Sequence, residues 1–358
     1  MAETRFADVL EIRNGRNQSE VEATDGIYPI YGSGGMMGRA NSFICPANSV
    51  IIGRKGSINK PIFVEEPFWN VDTAFGLVAD ETKLLPRYLY YFCVYYDFEK
   101  LNTTVTIPSL TKANLLKIEI NLPDISTQQR IVETLNQIEH IIQTRQRQLR
   151  TLDTLIKARF VEMFDLEQCR WSTFGETTDF VDYRGKTPEL SANGTIRMIN
   201  AKSVGKGFFK YVDEFVTEEV YDSWMHRGFG YPGDVLFVTE GHTFGNACLV
   251  PAELKKFALG QRVITIKGQQ GVLTNSFICS YMQTDRFWKD INVYRTGGTA
   301  QGIRSKDLVK VSIPLPSYDI QKRFASFVEQ IDKSKVAVQA ALEKAQLLFD
   351  SLMQQYFG

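Results

Sequence analysis

Chemistry in a polypeptide needs nucleophiles, acid-base pairs, metal ligands or phosphate cradles, and each leaves a recognisable spacing. The three histidines of this 358-residue chain are His140, His226 and His242, and none stands at metal-ligand spacing from Cys or a carboxylate. The cysteines, Cys45, Cys93, Cys169, Cys248 and Cys279, are scattered without paired spacing and read as reduced, mostly buried thiols. No GxSxG, HExxH or GxxxxGKS segment occurs, nor the Asn/Asp-Pro-Pro-aromatic run of amino-methyltransferases. What remains is recognition chemistry. Gly32-Ser33-Gly34-Gly35-Met36-Met37-Gly38 follows an apolar strand, but its spacing is not GxGxxG and no long helix follows, so a loop whose backbone approaches a surface closely fits better than a dinucleotide site. Gly53-Arg54-Lys55-Gly56 is a tight turn presenting two cations, suited to phosphate contact, although such a turn is often only solvated. His242 stands in a glycine turn, where a polar loop histidine is the competing account.

The elements that must hold these loops are organised by an internal repeat. Leu115 to Phe164 aligns with Leu308 to Phe357 at a constant offset without a gap: Lys117, Ile120, Pro123, Gln128, Arg130, Ile138, Leu155 and Phe164 meet Lys310, Ile313, Pro316, Gln321, Arg323, Ile331, Leu348 and Phe357. Ser126 with Gln129 predicts a capping box in the first copy, and Asp319 an N-cap in the second. Neither copy has Gly or Pro between its cap and Gly358, so each predicts a helix of about 37 residues, or about 55 Å. Ile131, Leu135, Ile138, Ile142, Leu149, Leu152, Ile156 and Met163 follow steps of four and three, interrupted by Arg145 and Arg159. Phe324, Val328, Ile331, Val338, Leu342, Ala345, Phe349, Leu352 and Tyr356 repeat that seam, interrupted by Lys335, as in a coiled coil. A long core helix in one globular domain is the alternative. For the segment between them to be compact, the end of the first helix must lie by the start of the second, so an antiparallel pair is expected.

Four parts follow: a domain over 1–123, a helix over 124–165, a second domain over 166–317 and a helix over 318–358. The fold class is mixed α/β, with two similar globular domains separated by two long antiparallel helices in approximate two-fold symmetry. In the first domain Ile27 to Tyr31, Ser49 to Ile52, Phe75 to Ala79 and Lys117 to Leu122 read as strands, and Pro86 to Leu101 as an aromatic-rich helix. The second repeats the order: Phe174 to Val181 as opening strand, Ile196 to Asn200, Val204 to Gly207 for the glycine loop and Gly233 to Val238 for the Val50 strand. Thr239-Glu240-Gly241-His242 stands for the Arg54-Lys55 turn, Leu273 to Ile291 for the aromatic helix, and Arg295 to Gln301 for the Thr-rich loop Asn102 to Ser109. Loops that diverge on a shared plan suit two readers of different targets.

Composition narrows the partners. Lys plus Arg equals Asp plus Glu at 41 each, which argues against wrapping DNA by bulk attraction. No apolar run of eighteen residues, basic leader or lipidation signal is present, so a cytoplasmic protein without membrane contact is expected.

At this point the chain resembles the specificity subunits of type I restriction-modification systems over essentially its whole length. The resemblance rests on Tyr28-Pro29-Ile30-Tyr31-Gly32-Ser33-Gly34-Gly35, Ile51-Ile52-Gly53-Arg54-Lys55-Gly56-Ser57 and Trp69-Asn70-Val71-Asp72-Thr73-Ala74. In the second half it rests on Gly233-Asp234-Val235-Leu236-Phe237, Gly297-Gly298-Thr299-Ala300-Gln301-Gly302-Ile303 and Ile313-Pro314-Leu315-Pro316 before Gln321-Lys322-Arg323. It implies two target-recognition domains, each reading one half of a split, asymmetric double-stranded DNA site, and helices that hold them apart and bind two modification subunits. Those partners would use S-adenosylmethionine to methylate adenine. Restriction subunits using ATP and Mg can join them, and this chain itself would hold no cofactor or metal and perform no catalysis. Asn121-Leu122-Pro123 departs from Pro314-Leu315-Pro316, which predicts a local difference where the first helix starts.

On that reading the candidates for base or backbone contact are Arg39, Arg54, Lys55, Thr103, Thr104 and Thr106 in the first domain. In the second they are Tyr183, Arg184, Lys186, Lys202, His242, Arg295 and Gln301. Arg and Lys can read guanine, and Gln adenine, in the major groove. For each alone a solvated loop residue is the competing account. Two other functions compete: a non-DNA assembly or adaptor protein with duplicated binding domains, which would co-purify without methyltransferase subunits, and an enzyme such as a nuclease, whose activity one point change would abolish.

Overall fold

The computed structural model describes residues 3–102, 108–183, 187–295 and 301–358. Thr103, Thr104, Thr106, Arg184 and Lys186 lie outside the described residues. The chain divides into two compact units, Met1–Gln146 with Ala340–Gly358, and Arg147–Gln339. Compactness thus divides each long helix near its middle rather than at its ends.

The first unit runs β1 (Glu3–Arg5), α1 (Phe6–Val9), β2 (Leu10–Asn14), β3 (Tyr28–Gly32), β4 (Gly35–Ala40), β5 (Ser49–Gly53), β6 (Ile62–Val64), β7 (Trp69–Asn70), β8 (Ala74–Ala79), α2 (Pro86–Tyr95), α3 (Lys112–Leu115), β9 (Glu119–Asn121) and the start of α4 (Ile125–Met163). The second runs β10 (Arg170–Thr173), α5 (Phe174–Thr177), β11 (Thr178–Asp182), β12 (Ile196–Ile199), β13 (Phe215–Val216), α6 (Glu218–Trp224), β14 (Val235–Val238), β15 (Ala247–Leu249), β16 (Phe257–Leu259), β17 (Val263–Gly268), α7 (Asn275–Tyr281), α8 (Asp285–Asn292), α9 (Ser305–Leu308), β18 (Ser312–Leu315) and the start of α10 (Tyr318–Phe357).

One topology serves both. A four-stranded sheet has order β2-β8-β5-β6 in the first and β11-β17-β14-β15 in the second, and a three-stranded sheet has order β4-β3-β7 and β13-β12-β16. In each small sheet one pairing is parallel, β3 with β7 and β12 with β16. The two-stranded ribbons β1-β9 and β10-β18 lead into the long helices. Strands β5 and β14 are buried at every position, which is why they read as unbroken apolar runs.

Several expected boundaries move for local reasons. The opening strand over Phe174 to Val181 is interrupted by α5, because Thr173 and Glu176 form a reciprocal capping box that starts a helical turn. The helix expected over Leu273 to Ile291 is two helices, the second restarted by Thr284, whose hydroxyl accepts from the Phe287 amide at 3.2 Å. The helix expected over Pro86 to Leu101 ends at Tyr95, and Asp97 caps a separate turn.

The long helices are continuous, 39 and 40 residues, slightly longer than their patterns predict. Their caps are corrected. Ser126 is not the N-cap of α4; Asp124 is, accepting from the Thr127 amide at 2.8 Å and from the Ser126 hydroxyl at 2.6 Å. In α10 the helix begins at Tyr318, so Asp319 lies in the first turn, paired with Lys322 at 2.8 Å. The hydroxyl of Ser126 and the amide and hydroxyl of Thr127 hold the Asp124 carboxyl down at about 2. Because the folded value lies below the ordinary carboxylate value, the stabilisation is complete above pH ~4 and is lost as pH falls through about 2. Helicity of Asp124→Asn followed by circular dichroism should lose that acid-dependent component; an acid limb identical to wild type would contradict the cap.

Within each unit one half of α4 and one half of α10 join the same core. In the first, Ile131 and Leu135 share a cluster with Met353, and Phe357 lies 5.1 Å from the Tyr88 ring. In the second, Phe164, the repeat counterpart of Phe357, lies 4.8 Å from Phe277 and 5.3 Å from Phe324. Lys335, which breaks the apolar seam, reaches Asp153 at 2.7 Å. A buried glutamine locks each helix start. Gln128 accepts from the Leu85 amide at 2.8 Å and donates to Lys83 O at 2.8 Å and Pro123 O at 2.9 Å. Gln321 accepts from the Thr274 amide at 2.9 Å and donates to Val272 O at 3.0 Å and Pro316 O at 2.9 Å. Besides the caps, the two starts differ at Asn121, whose Oδ1 is buried without a hydrogen-bond partner among the described residues, while its counterpart Pro314 sits in β18 opposite Trp171.

Candidate nucleic-acid interface

In each unit the turn after the central strand is stitched to the segment that follows the Thr- or Gly-rich loop. In the first, the Arg54 and Lys55 amides donate to Thr73 O at 2.8 and 3.3 Å, the Leu110 amide to Arg54 O at 2.9 Å and the Gly56 amide to Pro108 O at 3.1 Å. In the second, the Thr239 amide donates to Arg262 O at 2.8 Å, the Ile303 amide to Thr239 O at 2.9 Å and the Gly241 amide to Gln301 O at 3.0 Å. Lys55 bridges to Ser109 as Glu240 bridges to Gly302. The Arg54-Lys55 turn and the Thr239-Glu240 turn are therefore one structural position. In the first unit Gly53 precedes the turn, and a β-carbon at that residue would meet Ser57 O at 2.4 Å.

Arg54 has its guanidinium 5.8 Å from the Phe75 ring centre, with Nη1 donating to Asp72 O at 3.4 Å. It lines an open cleft of about 300 Å³ with Asn14, Phe75, Ser109, Leu110, Thr111 and Lys112. Lys55 is exposed beside it. Arg39 is exposed on β4, donating to Ile27 O at 3.1 Å rather than to the Arg54-Lys55 turn.

In the second unit His242 and Gln301 are exposed at the stitched turn. Thr243 donates to Ala201 O at 3.4 Å, which brings the Lys202 turn alongside, but Lys202 is itself paired with Glu214 at 2.5 Å. Arg295 is exposed after α8, donating to Asn292 Oδ1 at 3.1 Å. Tyr183 is a correction: it is 1% exposed, donates to Gly228 O at 2.7 Å and accepts from the Arg227 amide at 2.7 Å. Its aromatic character marks core, and its hydroxyl is engaged inside the domain. Burial also raises the Tyr183 phenol above its ordinary value.

The cysteines are free, and burial pushes Cys45 and Cys279 up to about 12, so these thiols stay protonated and inert. Among the described residues no group of His, Cys, Asp or Glu is gathered to hold a metal ion. No helix among them is long and apolar enough to cross a membrane.

Two platforms of one plan, each presenting a differently substituted stitched turn, make this a protein of two related but unlike domains. The profile of the type I restriction modification DNA specificity domain matches residues 1–152 and again 172–347, and the chain belongs to that family, with two such domains. A Haemophilus influenzae protein assigned by name as a type I restriction enzyme specificity subunit is 21% identical over 350 residues, covering 92% of this chain and 86% of that protein. One assigned to the MjaX enzyme of Methanocaldococcus jannaschii is 22% identical over 281 residues, covering 72% of this chain and 63% of that protein. Among solved structures, the type I restriction-modification S subunit of M. genitalium superposes with a TM-score of 0.63 at 16% identity, covering 100% of this chain and 96% of that one. A chain from a structural study of type I complex assembly superposes with a TM-score of 0.52 at 14% identity, covering 99% and 97%.

Proposed function

We propose that this chain is the DNA sequence-recognition subunit of a type I restriction-modification complex, each domain reading one half of a bipartite, asymmetric site. The observation that carries this is the coincidence of two specificity-domain matches with two units of identical topology and divergent turns. Base reading needs few groove contacts, and partner subunits would supply much of the phosphate attraction that a neutral chain lacks. In this reading α4 and α10 form an antiparallel coiled coil that sets the distance between half-sites. The packing of opposite halves of the two helices in each unit supports it. Adenine methylation from S-adenosylmethionine, and any ATP- and Mg-dependent cleavage, would belong to partner subunits acting in the cytoplasm. Methylation-sensitive sequencing of DNA from cells carrying this protein and its genomic neighbours should give a two-part motif; genomic DNA without one would sink the assignment. The family assignment disfavours the adaptor alternative.

The helices also suggest where two copies of one partner dock. Ile141, Val161, Val336 and Leu347 are exposed apolar residues, but their repeat counterparts are Ser334, Gln354, Gln143 and Thr154. Leu155 and Leu348 are exposed at 44% and 51% and are repeat counterparts of each other. Two identical modification subunits would need such a repeated anchor. Leu155→Asp or Leu348→Asp should each weaken one of the two attachments by about tenfold or more, read by native mass spectrometry of the assembled complex. Retention of both partners at wild-type affinity in the double variant would remove this anchor.

A further inference from the structure

The second domain lacks cations on its stitched turn: where the first has Arg54 and Lys55, it has the buried Thr239 and the acidic Glu240. The cation comes instead from the turn that leads into β17. Thr73, whose carbonyl receives the first turn, has Arg262 as its counterpart, and the carbonyl of Arg262 accepts from Thr239 through both the amide at 2.8 Å and the hydroxyl at 3.2 Å. The Arg262 Nε donates to Glu240 Oε1 at 3.1 Å, and the two side chains are 51% and 49% exposed.

Arg262 is also held in an unusual backbone state. Among the described residues only Asn48 and Arg262 have positive φ without being glycine, and Arg262 stands at 74°. Asn tolerates the left-handed region; residues with longer side chains rarely occupy it. Such a conformation persists where surrounding structure enforces it, and functional positions are where it concentrates. Glycine would fit this backbone without strain, yet the chain carries arginine.

We propose that Arg262 is a DNA-contacting residue of the second domain and that Glu240 positions it. Its ligand is a pair of hydrogen-bond acceptors on duplex DNA, either the O6/N7 edge of a guanine or two phosphate oxygens. The inference rests on the DNA-recognition reading above. The bond to Glu240 uses Nε, and neither Nη atom has a hydrogen-bond partner among the described residues, so the fork's two terminal nitrogens are available side by side. Glu240 fixes the plane of the guanidinium before DNA arrives, reducing the rotamer freedom lost on contact. The same ion pair neutralises a carboxylate that would otherwise repel phosphate. Gln301 and His242 flank the same turn and share its surface.

The test uses the full-length chain assembled with its modification subunits, comparing Arg262→Gly, Glu240→Gln and the double variant. Motifs come from methylation sequencing and affinities from titration of site and non-site duplexes at several salt concentrations. Arg262→Gly suits the positive φ, so its melting temperature should equal or exceed that of wild type. If the ligand is guanine, preference at one G·C position in one half-site falls by about tenfold or more and the other half-site is unchanged. If it is phosphate, affinity falls for all sequences alike and the salt slope decreases by about one. Glu240→Gln should produce a smaller loss of the same kind that disappears in the Arg262→Gly background, which a purely structural role would not show. A motif, affinity and salt slope all unchanged in Arg262→Gly overturn this inference and leave the DNA reading standing. A wild-type complex with no bipartite motif overturns both. Should Arg262→Gly fail to fold, Arg262→Gln is read in the same assay with the same outcomes.

Discussion

Gln321→Leu is expected to destabilise the second unit by about 3 kcal/mol, because it strips partners from a part-buried amide and two part-buried carbonyls at once. Leucine has a similar volume, so lost packing contributes little. What is lost is the acceptor for the Thr274 amide and the donors to Val272 O and Pro316 O, all supplied by a side chain with no solvent exposure. Thr274 is in turn the N-cap of α7, accepting from the Phe277 amide at 3.3 Å, so disorder at this point should spread into the helix. Three of the chain's four tryptophans, Trp171, Trp224 and Trp288, lie in this unit, and their fluorescence in a urea series reports it. Gln128→Leu should cost the first unit a similar amount, since Leu85, Lys83 and Pro123 replace Thr274, Val272 and Pro316 in the same geometry. A loss below about 1 kcal/mol in both variants would show that the loop carbonyls find other partners and that the clamp is dispensable.

The second large effect concerns the distance between half-sites. Adding one heptad, about seven residues, to α4 near Gln146 and a matched heptad to α10 near Gln339 should lengthen the spacer of the methylated motif by about three base pairs. The added rise is about 10 Å at 1.5 Å per residue, against about 3.4 Å per base pair. A whole heptad preserves the apolar seam, so neither core that the helices enter is disturbed. Both half-sites should remain unchanged in sequence. An altered half-site, or an unaltered spacer in a complex that still methylates DNA, would refute the ruler role of the helices. Adding the heptad to one helix alone should instead mismatch the seam and depress assembly, a control that separates length from integrity.

The organisation of this fold was legible because duplication and periodicity survive in side-chain type. The repeat fixes which glutamine, proline and phenylalanine are equivalent, and Gln128 with Gln321, and Phe164 with Phe357, occupy matching structural places. The equivalence of the Arg54 and Thr239 turns was also readable, from strand order alone. What escaped is decided by single hydrogen bonds. Asp124 rather than Ser126 caps α4 because two neighbouring hydroxyls and an amide converge on its carboxylate, and Thr284 divides one apolar run into two helices. Tyr183 follows a polar pattern but points its ring into the core. Arg262 has no signal in the order of elements along the chain, because its partnership with Glu240 joins the turn after β14 to the turn before β17. The positive φ that marks it leaves no trace in a residue type that seldom adopts it.

The first unit is discontinuous in the chain. It includes Ala340–Gly358, which deliver Phe349, Met353 and Phe357 to its core, whereas Arg147–Gln339 is a single uninterrupted stretch. On the ribosome, the later half of the coding sequence therefore yields the module able to mature first, and the earlier half waits for the final turns of α10. A premature stop shortly before codon 340 should accordingly injure the amino-terminal reader more than the other, and a gene exchange that replaces the middle of the reading frame can swap one reader without unmaking its companion.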